Sequence, residues 1–171
     1  MSFFSKLFSR APDPKEEIRP LWHRLVRLAR DPAWYAECKV ADTLEGRFDV
    51  LSTMVALAML RFEQDPDTIP SSARLTELFV EDMEGQLREA GIGDPTVGKK
   101  VGNLVSALGG RTGALREGLR DGDTALAAAM DRNITFNEGG SAECVAVKVR
   151  RLSIVMNGMP YHHLLDAELQ L

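Results

Sequence analysis

One apolar stretch, Leu44 to Phe62, sets the terms on which the whole chain can fold. Leu44, Phe48, Leu51, Val55, Ala58 and Phe62 recur at alternating spacings of four and three. Val50, Met54 and Leu57 widen that face until the second half is apolar almost all round, the pattern of a helix buried on every side. A helix over residues 43–64 would run about 30 Å, enough to cross a small domain. Asp42 offers a side-chain acceptor for its first free N–H groups and is the expected N-cap. The other elements should pack around this helix.

Those elements read as helices too. Ala11-Pro-Asp-Pro14 breaks the chain, and Leu21, Leu25 and Leu28 then fall at helical spacing with Arg24, Arg27 and Arg30 outside, Pro20 being admissible only in the first turn. Asp31-Pro32 starts a short helix carrying Trp34 and Tyr35 toward the long one. Beyond Pro70, Ser71 or Ser72 is the expected cap of a helix with Leu75, Leu78, Phe79, Met83 and Leu87 inward. Gly91-Ile-Gly93 stops it, and Asp94-Pro95 opens another with Val97, Val101, Leu104 and Leu108 in register. The stripe continues through Leu115 and Leu119, which predicts one helix interrupted at Gly109-Gly110. Asp123 is the expected cap of an Ala-rich helix ending near Asn133. Residues 141–156 fit a helix through Ala142, Val145, Val149, Leu152 and Met156, or a strand through alternating Val145, Val147 and Val149. The helical stripe spans more residues and no second strand is evident, so helix is the expectation. Residues 160–169 close an all-α, single compact multi-helix domain around the central buried helix, with residues 15–171 as the domain and 1–14 as an amphipathic or disordered tail.

Composition limits the functions open to such a domain. Net charge is −4 and aromatics are only 6%, so neither the cationic surface nor the stacking face of a nucleic-acid binder is present. Charge is unevenly placed: residues 1–30 hold seven Lys or Arg against three acids, and residues 63–94 hold nine acids against two Arg. In the tail, Phe3, Phe4, Leu7 and Phe8 share a helical face with Lys6 and Arg10 beside them, which makes them membrane-contact candidates. The run from Val50 to Leu60 is too short to span a bilayer. Cys38 and Cys144 stand far apart with no CxxC and no secretory signal before them, so a reducing compartment and two packed thiols are expected.

Chemical motifs are few. Gly93 to Lys100 is spaced like a phosphate-binding loop, but Lys100 stands where Ser or Thr should hold magnesium, Pro95 removes an N–H, and a helix precedes it in place of a strand. His23, His162 and His163 have no metal-ligand spacing. No nucleophile elbow or catalytic pair is present. The reading is therefore no catalytic residue, no metal, no cofactor and no small-molecule substrate. What remains is a polar set flanking apolar helices: Asp42, Arg47, Asp49, Asp82, Arg88, Asp94, Lys99 and Arg111. Arg47 and Asp82 border apolar stripes, where an unpaired charge is costly, so both should be paired.

Two of these stretches together resemble a known family. The first is Trp34-Tyr-Ala-Glu-Cys-Lys-Val-Ala-Asp42-Thr-Leu-Glu-Gly46-Arg-Phe48. The second runs from Leu78-Phe-Val-Glu-Asp82-Met83 through Leu87-Arg88-Glu-Ala-Gly91-Ile-Gly93-Asp94-Pro-Thr-Val-Gly98-Lys99. Their order and spacing are similar to the Tyr, Asp-Thr, Gly-Arg-Phe, Asp-Met, Leu-Arg-Glu, Gly-x-Gly-Asp and Val-Gly-Lys pattern of the ubiquinol-cytochrome c chaperones, over roughly residues 15–160. Leu108-Gly109-Gly110-Arg111 and Leu115 depart from it, standing where the family carries aromatics. The resemblance implies an all-helical, non-enzymatic protein of respiratory complex III assembly. Its client would be newly made cytochrome b, bound through Tyr35, Arg47, Phe48, Asp82, Arg88, Asp94, Lys99 and Arg111. With no transit peptide the chain looks like a bacterial-type member, expected in the cytoplasm and peripherally on the inner face of the plasma membrane. The alternative is a soluble helical adaptor unrelated to respiration.

Overall fold

A computed structural model describes residues 13–89, 91, 94–166, 169 and 170, with the side chains of Asp94 and Pro95 left aside. The tail candidates Phe3, Phe4, Leu7 and Phe8 lie outside the described residues. Among the described residues eight α-helices follow in order: α1 (Arg19–Ala29), α2 (Pro32–Ala36), α3 (Leu44–Phe62), α4 (Ile69–Glu89), α5 (Asp94–Asp121), α6 (Asp123–Asn133), α7 (Ala142–Asn157) and α8 (Tyr161–Asp166). Among the described residues the only extended pairing is a single antiparallel bridge between Val40 and Phe136. The ambiguous stretch from Ser141 to Met156 is thus a helix from Ala142 on, with Ser141 as its cap, as its longer stripe required.

α3 is the centre. Every residue from Val50 to Ala58 is buried, and α1, α4, α5 and α7 pack on it from different sides. The two polar residues of that buried stretch stay satisfied inside the core: the hydroxyls of Ser52 and Thr53 donate to the carbonyls of Phe48 and Asp49, each at 2.7 Å, the back-bonding open to Ser and Thr within a helix. The cap is Thr43, whose hydroxyl accepts from Gly46 N–H. Asp42 is drawn instead into an ion pair with Arg47 at 2.6 Å.

Around this axis the expected helices form, with Leu169 outside α8 and three further shifts. α4 starts at Ile69, ahead of Ser71 and Ser72, because a 3₁₀ turn over Pro66–Thr68, capped by Asp65, feeds straight into it. α5 runs 28 residues through Gly109-Gly110 without a break. Two glycines cost a helix about 1 kcal/mol each, yet Leu108, Arg111, Thr112 and Leu115 are all buried around them, and tertiary packing decides. Gly122, at φ 108°, is the N-cap of α6, with Asp123 its first residue.

The α5–α6 hairpin is close because Gly118 allows it: a Cβ there would stand 2.8 Å from the Leu126 Cα. Arg61 donates from Nε to the Met156 carbonyl at 3.1 Å and from Nη2 to the Met159 carbonyl at 2.7 Å, tying the end of α3 to the C-terminal turn of α7 and the residues just after it.

The cysteines correct the sequence reading. Cys38 and Cys144 form a disulfide, with Cα atoms 5.3 Å apart. It ties the segment after α2 to the first turn of α7, 106 residues away in sequence. Nothing in the spacing of two distant cysteines could reveal that the fold brings them together.

Candidate functional site

Where α3 emerges from the core, its N-terminal half forms one wall of a cleft of about 500 Å³. α1 contributes Val26 and Ala29, α4 contributes Met83 and Leu87, and α5 contributes Leu104; Tyr35, Leu44, Phe48 and Leu51 complete an apolar floor. Arg30, Glu45, Arg47, Asp82 and Gln86 stand at its polar edge. Leu44 is 60% exposed and brings an apolar side chain to the open side of the cleft.

The strap before α3 is shaped by its own residues. A Cβ on Gly46 would lie 2.0 Å from the Ala41 carbonyl oxygen, so only glycine lets the strap cross the first turn of α3 here. One residue on, Arg47 turns back to Asp42. Their hydrogen bond holds the Asp42 carboxyl below its ordinary value and raises the Arg47 guanidinium. Two residues on, Phe48 packs against Phe79 with ring centroids 5.9 Å apart. The Asp42-Thr-Leu-Glu-Gly-Arg-Phe48 signature is therefore one compact piece of cleft wall: cap, crossing, ion pair and floor.

Behind that wall lies a buried polar knot. Arg111, 5% exposed, donates from Nη2 to Asp49 Oδ1 at 2.7 Å and to the Asn133 carbonyl at 2.6 Å, and from Nη1 to the Ser52 hydroxyl. Its guanidinium carbon stands 5.6 Å from the Phe48 ring centroid, within cation–π range. Burial pulls the guanidinium below its usual value, with Asp49 opposing. The other oxygen of Asp49 accepts from the backbone N–H and the hydroxyl of Thr135, at 2.9 and 2.8 Å. α3, α5 and the α6–α7 link are fixed to one another at this point.

Of the eight sequence candidates, Tyr35, Arg47, Phe48 and Asp82 line the cleft. Tyr35 donates to the Ala29 carbonyl at 2.7 Å, and burial pushes its phenol upward. Asp82 accepts from the Gln86 amide at 2.7 Å, so its described partner is neutral, whereas Arg47 has the charged partner expected. Arg111 is a positioning residue behind the floor. Arg88 and Lys99 are exposed and do not line the cleft, and the Asp94 side chain lies outside the description. Lys99 and Lys100 sit within α5, so helix occupies the end of the phosphate-loop spacing.

The sequence reading missed Leu44, Met83, Leu87 and Leu104 as site residues. Each lies on an apolar stripe, and helical periodicity marks such a face equally whether a neighbour covers it or not. Among the described residues no cluster of His, Cys, Asp or Glu is arranged to hold a metal ion, and no helix is long and apolar enough to cross a membrane. A second cavity, of about 530 Å³, is bordered mainly by charged side chains including Arg24, Arg27 and Lys148.

Fold and site together define a helical protein with an open, apolar, polar-edged cleft, the shape that takes up an apolar segment of another molecule. The family model described as ubiquinol-cytochrome C chaperone matches residues 36–170, and the chain belongs to that family. It is similar to the crystal structure of the Cbp3 homolog from Brucella abortus, at 29% identity and a TM-score of 0.79, over 97% of this chain and 94% of that one. No curated protein matches the sequence. Membership in a chaperone family points to a protein that binds a client.

Proposed function

We propose that this protein is an assembly chaperone that holds newly made cytochrome b in the cleft between α1, α3, α4 and α5 and so assists biogenesis of the ubiquinol-cytochrome c reductase. The observation that carries the reading is the convergence on one cleft of both signature stretches, Tyr35, Arg47 and Phe48 from the first and Asp82 and Met83 from the second. A transmembrane helix before insertion presents apolar side chains to water. A groove with an apolar floor and a polar edge covers them, as helix-in-groove recognition does elsewhere. No chemistry on the client is required. The place of action would be the cytoplasm and the inner face of the plasma membrane, with Phe3, Phe4, Leu7 and Phe8 as a surface anchor. Arg88, Asp94 and Lys99 would form a second rim contact.

Leu44→Glu tests the reading, because an exposed residue can change charge within about 0.5 kcal/mol of stability while placing a carboxylate on the cleft. Photo-crosslinkers at positions 44 and 87 should capture cytochrome b in wild-type cells. The Leu44→Glu protein should accumulate normally yet leave cells with less haem-loaded cytochrome b. Capture of soluble proteins alone, with normal complex III, would favour the adaptor reading.

A further inference from the structure

We infer that the Cys38–Cys144 disulfide is a reversible latch on the cleft wall, opened by a dithiol reductant entering at Cys144. Residues 38–41 form a strap with no helix of their own. It is held by the disulfide and by a short ladder: Ser141 N–H to the Cys38 carbonyl at 3.1 Å, Asn137 N–H to the Lys39 carbonyl at 2.9 Å, and Ala41 N–H to the Thr135 carbonyl at 2.9 Å. Between the covalent tie and the Val40 bridge stands Lys39 at φ 60°. This left-handed conformation is unfavourable for a residue with a side chain and persists only where its surroundings impose it. Strain and constraint thus sit side by side.

Release of that constraint would reach the cleft directly. The strap continues into Ala41, whose carbonyl presses on Gly46, and Asp42, which holds Arg47. Thr135, at the other side of the ladder, lines the cleft and binds Asp49. α7 has further ties besides the bond. α7 keeps its Ser141 cap on Cys144 N–H at 3.0 Å and its buried face of Val145, Val149, Leu152 and Met156.

Access is one-sided: Cys38 is fully buried, and Cys144 is partly exposed. A thiolate of the reductant attacks Cys144 Sγ, the S–S bond breaks, and Cys38 leaves as a thiolate and takes up a proton. The second thiol of the reductant then displaces Cys144, so two electrons and two protons pass to the protein and the reductant becomes a disulfide. Reduction frees Lys39 to leave the left-handed region, and the wall from Ala41 to Phe48 loosens.

This inference rests on the cleft being the client site only in its last consequence, so the structural test omits the client. Full-length protein purified without reductant is compared by mass spectrometry and hydrogen exchange before and after dithiothreitol, alongside the Cys38→Ser/Cys144→Ser variant. The latch predicts a gain of two hydrogens on reduction. It also predicts faster exchange confined to residues 38–48 and 135–141 in both the reduced protein and the variant, reversed on reoxidation. In Lys39→Gly, which relieves the backbone demand, reduction should change exchange far less. Two free thiols in the unreduced protein, unchanged exchange at 38–48, or faster exchange throughout the helices would each overturn it, the last by making the bond a general staple. Capture of a cytochrome b transmembrane peptide is then expected to weaken about fivefold or more on reduction, the lower range of coupling between sites. Local loosening with no capture in either state would leave the latch standing and refute the client reading.

Discussion

The two halves of α3 face opposite fates. From Val50 to Ala58 the helix is sealed on every side, and its polar side chains, Ser52 and Thr53, bond to the helix's own backbone, Ser52 also accepting from Arg111. From Leu44 to Phe48 the same helix is open along one flank, and its polar groups reach outward to the strap and the cleft edge. Apolar positions recur at helical spacing in both halves, with Glu45 and Arg47 interrupting the first. What separates them is Asp49 with Arg111, a charged pair at the boundary that holds α5 and the α6–α7 link against the sealed half. An open cleft in a stable domain needs such a brace, since the side facing water contributes little packing of its own.

Arg111→Ala would break this comparison most severely. It removes a buried guanidinium from Asp49, the Asn133 carbonyl and Ser52, leaving a largely buried carboxylate without its cation. Such losses cost about 3–5 kcal/mol, to be read as a lower denaturation midpoint in urea. If the brace sets the division, crosslinker reactivity at Leu44 should change with it. An effect below about 1 kcal/mol, the range of exposed ion pairs, would mean that the pair braces nothing.

Gly46→Ala acts on the open half alone. The added Cβ cannot coexist with the Ala41 carbonyl at 2.0 Å, and because the obstacle is backbone, the strap must move. Overpacking of this kind costs about 1–3 kcal/mol, with exchange expected to quicken at residues 38–48 while Val50 to Ala58 stays protected. Uniform deprotection would show that the two halves unfold as one unit, against the comparison.

How much of this was legible in the sequence follows from the range of each interaction. The central helix was plain, because burial on all sides writes a continuous apolar pattern into one segment. Its cap was off by one residue: Asp42 and Thr43 are both competent acceptors, and only Arg47, folding back, settles which is used. The α4 start slipped because the Pro66–Thr68 turn leads into the helix without a gap. Gly109-Gly110 misled because local propensity was weighed without the buried residues on either side. The disulfide was illegible, since two cysteines 106 residues apart carry no pattern and compartment arguments pointed the other way. For the cleft, the signature residues were named, but the exposed Leu44 and the open flanks of α4 and α5 follow from which neighbours are missing. A one-dimensional pattern does not encode that.

The smallest expected effect sits at the cleft edge. Tyr35→Phe removes the O–H donated to the Ala29 carbonyl, worth about 0.5–1.5 kcal/mol near neutral pH, and its size should depend on pH. Burial raises the Tyr35 pKa above the ordinary 10.0, so the folded state retains this proton more strongly than the unfolded chain. That contribution is fully present below about pH 10 and is lost as pH rises through the elevated folded value, because a partly buried phenolate has neither the donor nor full solvation. Tyr161 is raised as well but is common to both proteins, and the difference between their stabilities isolates Tyr35. Wild type should exceed Tyr35→Phe below about pH 10, and the gap should shrink as pH rises through the raised folded value. A gap constant across that range would place the phenol in free solvent. The open flank would then extend past Tyr35 to the end of α1, and the boundary between sealed and open regions would need to be redrawn there.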